Sequence, residues 1–456
     1  MSFDPKTNPA ICLYPFVQLS TVPAGFFRPC CYYGEFLHDF NNYHPNVKTD
    51  RVGDVWNDSS MRELRERMIA GEPSVGCQQC VREEQGGSTT SMRFRSFTEW
   101  GENLEVQKLL DVEALRDNNY QIDQAPRYLE IKPGNLCNLK CRMCNQWDSS
   151  TIAKELTELR TKYAGVNQGN HFHLTSDKNT IFEATFSQAD MPDWDQLDQF
   201  WDDISAWLPQ VETLSFAGGE PTLLNSVHRL IDTCIQTGHA SHITVFLSSN
   251  FTNLKQSLLD AAPHFKKFEF ISSIDGYGEI QEYIRHPSKW SAVEKNYLRV
   301  KDIQDGRIVK LLSNITLQMN NILHFTDLLE FIDQYESSFW QWPWALNLLY
   351  GPGHLNIEYL PEELRPIVIE RIDAFIARST VLKRFPDMRE RFELIKSIMR
   401  KPFPKEKGEA ALKKFYEITL VLDEHRKEKL SEVDPLLWDS VHKIVQGIYA
   451  ENRQLG

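Results

Sequence analysis

The stretch GNLCNLKCRMC, residues 134–144, places three of the chain's nine cysteines within eight positions. Three thiolates do not close a tetrahedral metal site, and three cannot pair as disulfides without leaving one sulfur over. No fourth ligand follows at short spacing. The set reads as built with an open corner, which a chelating substrate or cofactor would fill.

Working outward from these cysteines, RYLEIK (127–132) has the pattern of a strand running straight into them. Five further strands are expected in ETLSFAGGEP (212–221), HITVFLSSN (242–250), KFEFISSIDG (267–276), RIVKLLSNITLQMN (307–320) and WPWALNLLYGPG (342–353). Helical periodicity lies between them, as in NSVHRLIDTCIQTG and FTDLLEFIDQYE. Such alternation implies a parallel sheet with right-handed crossovers, and six units fit an open or partial barrel. Polar, glycine and cysteine clusters fall at the carboxyl ends of the strands, where sites in such sheets lie. About 40 residues separate the first helix from the second strand, which is long for a loop and suits a lid or binding insertion. His171 and His173 within it are expected to be alternating strand residues on one face rather than ligands. After residue 354 the pattern is helical, and nothing there looks chemical.

The bulk numbers bound these readings. A chain of 456 residues is expected to form two or three domains. With 41% hydrophobic and 25% charged residues and a mean hydropathy of −0.43, it has the composition of a soluble globular protein. No apolar run reaches membrane-spanning length, and MSFDPKTNPAICLYPF lacks the pattern of a secretory signal. A cytoplasmic location follows as the expectation, in which clustered thiols act as metal ligands. The net charge of −13 argues against a general nucleic-acid binder. The basic run RKPFPKEKGEAALKK near residue 400 is expected to be a solvated helix face. Cys234, on an amphipathic helix, is expected in the core.

The spacing C-x3-C-x2-C just after a strand resembles that of the radical S-adenosylmethionine (SAM) enzymes. The resemblance spans about residues 127–352. It implies that Cys137, Cys141 and Cys144 hold three irons of a [4Fe–4S] cluster, and that SAM chelates the fourth through its amino and carboxylate groups. It also implies reductive cleavage of SAM to a 5′-deoxyadenosyl radical that abstracts hydrogen from substrate. In this reading GGEP (Gly218, Gly219, Glu220, Pro221) receives the SAM amino group: glycines let backbone approach, and a carboxylate receives an ammonium. Ser248 and Asn250 of LSSN are placed for ribose or carboxylate contacts. Ser273 and Asp275 of SIDG, Arg285 of EYIRHP as partner of the SAM carboxylate, and Asn314 of SNIT complete the candidate pocket. The position before the last cysteine, usually aromatic in the family, is Met143, whose adaptable side chain suits packing near adenine.

The N-terminal cysteines form a second set. Cys12 and Cys30 stand in the pattern C-x12-G-x4-C, and Cys77-Gln-Gln-Cys80 follows. Both resemble pieces of the SPASM or twitch modules of radical SAM enzymes, although here they precede the barrel instead of following it. Cys12, Cys30, Cys77 and Cys80 are thereby expected to hold a second [4Fe–4S] cluster, with structural zinc as the alternative. Cys31 is left over: it exchanges with Cys30 as ligand, is a buried thiol, or donates hydrogen to a substrate radical.

The expected architecture is thus α/β. An auxiliary-cluster domain occupies 1–125, a partial (β/α)6 TIM-like radical SAM barrel 126–353, and a helical C-terminal subdomain 354–456. The expected function is peptide modification by oxidation, crosslinking or epimerisation. The alternatives are dehydrogenation or epimerisation of a sugar, nucleotide or amino acid, and a non-catalytic Fe–S electron carrier. The expected partners are SAM, a reductant such as flavodoxin or ferredoxin, and the peptide or small-molecule substrate.

Overall fold

The computed structural model describes residues 3, 5–38, 43–85, 91–163, 194–335, 338 and 341–454. The insertion with His171 and His173 lies outside the described residues. The chain divides into two compact units: Met1–Leu136, Ala189–Ser248 and Lys255–Glu269 form the first, and Cys137–Gln188, Ser249–Leu254 and Phe270–Gly456 the second.

The first unit is organised by a sheet. Strands β1 (Gln18–Thr21), β2 (Phe27–Arg28), β3 (Tyr128–Ile131), β5 (Thr213–Phe216) and β6 (Thr244–Ser249) run in the order β6–β5–β3–β1–β2, with a further strand, β4 (Lys140–Cys141), lying in the second unit. The pairs β1–β3, β3–β5 and β5–β6 are parallel, and β2 closes the edge antiparallel to β1. Leu129, Ile131, Leu214, Phe216, Val245 and Leu247 are buried to 2% exposure or less. This fits a mixed α/β sheet with helices packed on it. The N-terminal cysteine-rich segment therefore does more than carry thiols. Its Gln18–Thr21 segment adds a parallel strand beside Tyr128–Ile131, which the sequence reading did not foresee.

The second unit holds β7 (Lys267–Ser273) in its second half, β9 (Val309–Leu317) and β10 (Trp344–Leu348), in the order β7–β9–β10, with β9 and β10 parallel. Along β9 burial alternates strictly, so that Val309, Leu311, Ile315 and Leu317 are in the core while Asn314 and Thr316 take the other face. β4 and β8 (Arg285–His286) make a separate two-residue antiparallel ladder. All six strands expected from the alternation are present, each a few residues shorter than its stretch. Helices fill the chain after residue 365, including Arg365–Arg378, Arg389–Arg400, Lys405–Arg426 and Pro435–Gln454. Among the described residues no helix is long and apolar enough to cross a membrane. Cys234 is fully buried.

Candidate cluster and cofactor sites

In the first unit the end of β5 turns sharply at Gly218, where φ is +100°. A Cβ on Gly219 would stand 2.3 Å from the Leu136 carbonyl oxygen, so only glycine fits there. The Glu220 N–H donates to that same carbonyl at 2.7 Å. The GGE turn thus lies flat against Gly134–Leu136, the residues that lead into Cys137. The Glu220 side chain is buried, and it accepts from the Thr222 N–H at 3.3 Å and from Thr222 Oγ1 at 2.6 Å. Pro221 starts the short turn that follows, and Ser248 is half-buried near the end of β6.

The second unit contains the three-cysteine loop. Cys137, Leu139 and Cys141 are buried together, with Met143 and Cys144 packed against them. The loop is tied from behind: the Cys137 N–H donates to Ser150 Oγ, and Ser149 Oγ and Thr151 Oγ1 both donate to the Leu139 carbonyl. Ser149–Thr151 begin α1 (Ser150–Tyr163), so the start of this helix fixes the loop. Two N–H donors reach sulfur: the Leu139 amide lies 3.4 Å from Cys137 Sγ, and Arg285 Nη1 lies 3.7 Å from Cys141 Sγ. Burial pushes the Cys141 thiol up, and Arg285 pulls it back down. Burial likewise holds Cys144 well above the ordinary thiol range, with Asp148 and the other two thiols adding to the shift.

Arg285 is itself held. Its Nε donates to Asp275 Oδ2 at 2.7 Å. Asp275 is fully buried; its Oδ1 accepts from the Thr316 N–H at 2.7 Å, and its carbonyl accepts from Asn321 at 2.8 Å. Asp275 therefore orients Arg285 within the fold. Asn250 caps a turn by accepting from Thr252, and it donates to Asn138 Oδ1 at 2.9 Å, inside the cysteine loop. Asn314 accepts from Asn347 on β10, and Ser273 is half-buried at the end of β7.

Sequence reasoning missed Arg142, between Cys141 and Cys144. Its side chain is 3% exposed, and it pairs with Asp423 and Glu428. The charged residue inside the motif was a signal, but its partners lie near the other end of the chain.

In the first unit, Cys12, Cys30, Cys77 and Cys80 all line one cavity, together with Tyr14, Tyr33 and Met68. The local packing shows how. The Gly34 N–H donates to the Gly76 carbonyl at 2.8 Å, and Tyr33 Oη meets Ser74 Oγ at 2.9 Å. A Cβ on Gly76 would stand 2.3 Å from the Tyr33 ring, so glycine lets the Cys30 loop close on the turn before Cys77. Burial pushes Cys12 up to about 11 and Cys77 up to about 12, and it raises Cys30 and Cys80. Among the described residues, no three His, Cys, Asp or Glu side chains are gathered so as to grip a single ion. The four thiols instead ring a shared space. Cys31 does not line that cavity; it faces Glu130 and Lys132, and burial followed by Glu130 pushes its thiol up to about 12.

No family model and no curated protein matches this chain. Among solved structures it is similar to anSMEcpe with bound AdoMet and the Cp18Cys peptide, at 18% identity and a TM-score of 0.32, over 53% of this chain and 57% of that one. It is also similar to Streptococcus suis SuiB bound to S-adenosylmethionine, at 16% identity and a TM-score of 0.34, over 79% and 71% of the two chains. SuiB bound to its precursor peptide SuiA gives 15% identity and a TM-score of 0.34, over 81% and 75%. The chain thus spans a little over half the length of anSMEcpe.

Proposed function

We propose that this protein is a radical SAM enzyme that modifies a peptide by oxidation, crosslinking or epimerisation. The observation that carries the reading is the Cys137–Cys144 loop. Three thiols sit on one fixed turn, and two have N–H donors directed at their sulfurs. Donors directed at sulfur favour the thiolate, the form that binds iron. This donor set fits a [4Fe–4S] cluster with one iron left for a small chelator.

Cys137, Cys141 and Cys144 would hold that cluster. Gly218, Gly219, Glu220 and Pro221 are the residues assigned to the SAM amino group, Arg285 to its carboxylate, and Met143 to the neighbourhood of adenine. Ser248, Asn250, Ser273 and Asn314 are assigned to the remaining polar contacts, and Asp275 to orienting Arg285. Bound together, cluster and SAM would supply a 5′-deoxyadenosyl radical able to take hydrogen from an unactivated C–H bond. The chain's own part is to fix the thiolates, to compensate their charge through Arg285, and to exclude water by burial.

Cys12, Cys30, Cys77 and Cys80 would hold a second cluster saturated by protein, suited to electron transfer with the substrate. That auxiliary set is the reason for the peptide reading, since such modules often accompany peptide-modifying members of the family. A reductant of the flavodoxin or ferredoxin class would serve the first cluster.

The test is anaerobic reconstitution followed by incubation with SAM and dithionite. Formation of 5′-deoxyadenosine by the wild type, and none by the Cys137→Ala/Cys141→Ala/Cys144→Ala variant, is the expected result. Cleavage that persists in the variant sinks the reading. Deuterium passing into deoxyadenosine from a labelled peptide, and not from a labelled sugar, nucleotide or free amino acid, supports the peptide class.

A further inference from the structure

The charge inside the cysteine motif has its partners in the C-terminal helices. Arg142 stands between two of the candidate cluster ligands and is almost wholly buried. Its backbone N–H donates to the Ile284 carbonyl at 2.8 Å, and its Nε to the Tyr283 carbonyl at 3.1 Å. Its guanidinium lies 3.6 Å from the centre of the Tyr283 ring. Nη2 donates to Asp423 Oδ1 at 2.5 Å and to Glu428 Oε1 at 3.2 Å.

Asp423 is a hub. It also accepts from Tyr283 Oη at 2.9 Å and from the Leu430 N–H at 2.7 Å. It belongs to the last turn of helix α2 (Lys405–Arg426), and Lys427 beyond it takes a left-handed conformation with φ of +58°. A carboxylate in the last turn of a helix opposes the helix dipole. The local rule is broken where the Arg142 contact is made, as happens at sites that serve something beyond helix stability.

The same helix braces the other end of the loop. Arg426 forks onto Glu155 of α1 at 3.0 and 2.7 Å, and both side chains are almost fully buried. Ile418, Val421 and Leu422 pack on Ile152, Leu156 and Leu159, with Cys144 against this cluster. One helix thus grips the cysteine loop through Arg142 and the helix behind it through Glu155.

We propose that Asp423 and Glu428 are positioning residues of the cluster site. Through Arg142 they fix the spacing of Cys141 and Cys144, and they keep a compensated positive charge beside these ligands. The proposal rests on the radical SAM reading. Groups that orient a metal ligand change affinity or activity about 10-fold or more when lost.

The test uses the full-length chain reconstituted anaerobically. The wild type, Asp423→Asn, Asp423→Glu and Tyr283→Phe are compared by the EPR signal of the reduced cluster with and without SAM, by its midpoint potential, and by SAM affinity. In Asp423→Asn the SAM-responsive signal is expected to shift in potential and SAM binding to weaken about 10-fold, with the far-UV CD spectrum unchanged. Asp423→Glu should recover most of both. Tyr283→Phe keeps the ion pair and loses one hydrogen bond, so a smaller shift in the same direction is expected; it decides the matter if Asp423→Asn does not fold. Wild-type potential, line shape and SAM affinity in these variants overturn the proposal while leaving the radical SAM reading intact. A wild type with no SAM-responsive signal overturns both.

Discussion

Arg285 faces Cys141 across the two-residue ladder of β4 and β8, with its Nη1 3.7 Å from the cysteine sulfur. The opposite edge of the guanidinium is fixed by Asp275. A donor held in this way compensates negative charge on the sulfur, and hydrogen bonds to ligand sulfurs raise the potential of a cluster. Arg285→Gln is therefore expected to lower the potential of the SAM-responsive cluster and to slow deoxyadenosine formation by about 10-fold or more. Asp275→Asn should act on stability first. It leaves an oxygen that can still accept from the Thr316 N–H but sets an NH2 group against Arg285 in place of the buried carboxylate charge, at a cost of about 3–5 kcal/mol in urea unfolding. An Arg285→Gln variant with unchanged potential would leave Arg285 only its assignment to the SAM carboxylate, readable as a loss of SAM affinity alone.

Gly219 has no room for a methyl group. The Cβ of an alanine would lie 2.3 Å from Leu136 O and 2.7 Å from the Asn135 carbonyl carbon, and backbone cannot yield as a flexible side chain would. Gly219→Ala should push Asn135–Leu136 outward and cost about 1–3 kcal/mol, as overpacking generally does. The segment displaced is the one that leads into Cys137, so SAM affinity should fall with stability. Full SAM binding in a destabilised Gly219→Ala protein would separate the turn from the cofactor.

The four N-terminal thiols and Cys31 make a controlled comparison. Replacing any of Cys12, Cys30, Cys77 or Cys80 with Ser should remove about four of about eight irons per chain, since each lines the same cavity. Cys31→Ser should leave the iron count unchanged, because that thiol faces Glu130 and Lys132. About four irons and one zinc per wild-type chain would establish the structural-metal alternative instead.

The difference between Cys30 and Cys31 shows what a sequence can and cannot say. The short intervals of Cys137, Cys141 and Cys144, and of Cys77 and Cys80, are visible in one dimension because tight loops impose them, whereas Cys12 and Cys30, 18 positions apart, joined the candidate set only through a family resemblance. Spacing left the adjacent pair unresolved, since the choice depends on how the Cys30–Gly34 loop closes against Gly76. The six strands were legible because alternation such as that in Val309–Leu317 is local. The Gln18–Thr21 strand was hidden, being four residues buried throughout and so without alternation. Asp275 was grouped with cofactor contacts, and its structural work for Arg285, Thr316 and Asn321 emerged only with the fold. The C-terminal helices looked inert because Asp423 lies 281 positions from Arg142, beyond the reach of any local pattern.

His324 gives the second unit a pH dependence that can be tested without iron. Its Nε2 lies 3.3 Å from Asp434 and its Nδ1 3.5 Å from Asp327, while Arg371 approaches at 3.4 Å. Burial alone would lower its pKa, but the two carboxylates prevail and raise it to about 9 from an ordinary 6.5. A raised folded-state pKa means that the folded protein holds its proton more tightly than the unfolded chain does. The stabilisation is therefore complete below about pH 6.5 and is lost as pH rises through about 9, with an upper bound of about 3 kcal/mol. His324→Gln removes it. Urea unfolding of the wild type and His324→Gln should differ most near pH 6 and converge above pH 9, and the difference between the two proteins cancels the titration of all other groups. A constant difference from pH 6 to pH 9.5 would mean that Asp327 and Asp434 do not hold the proton on His324.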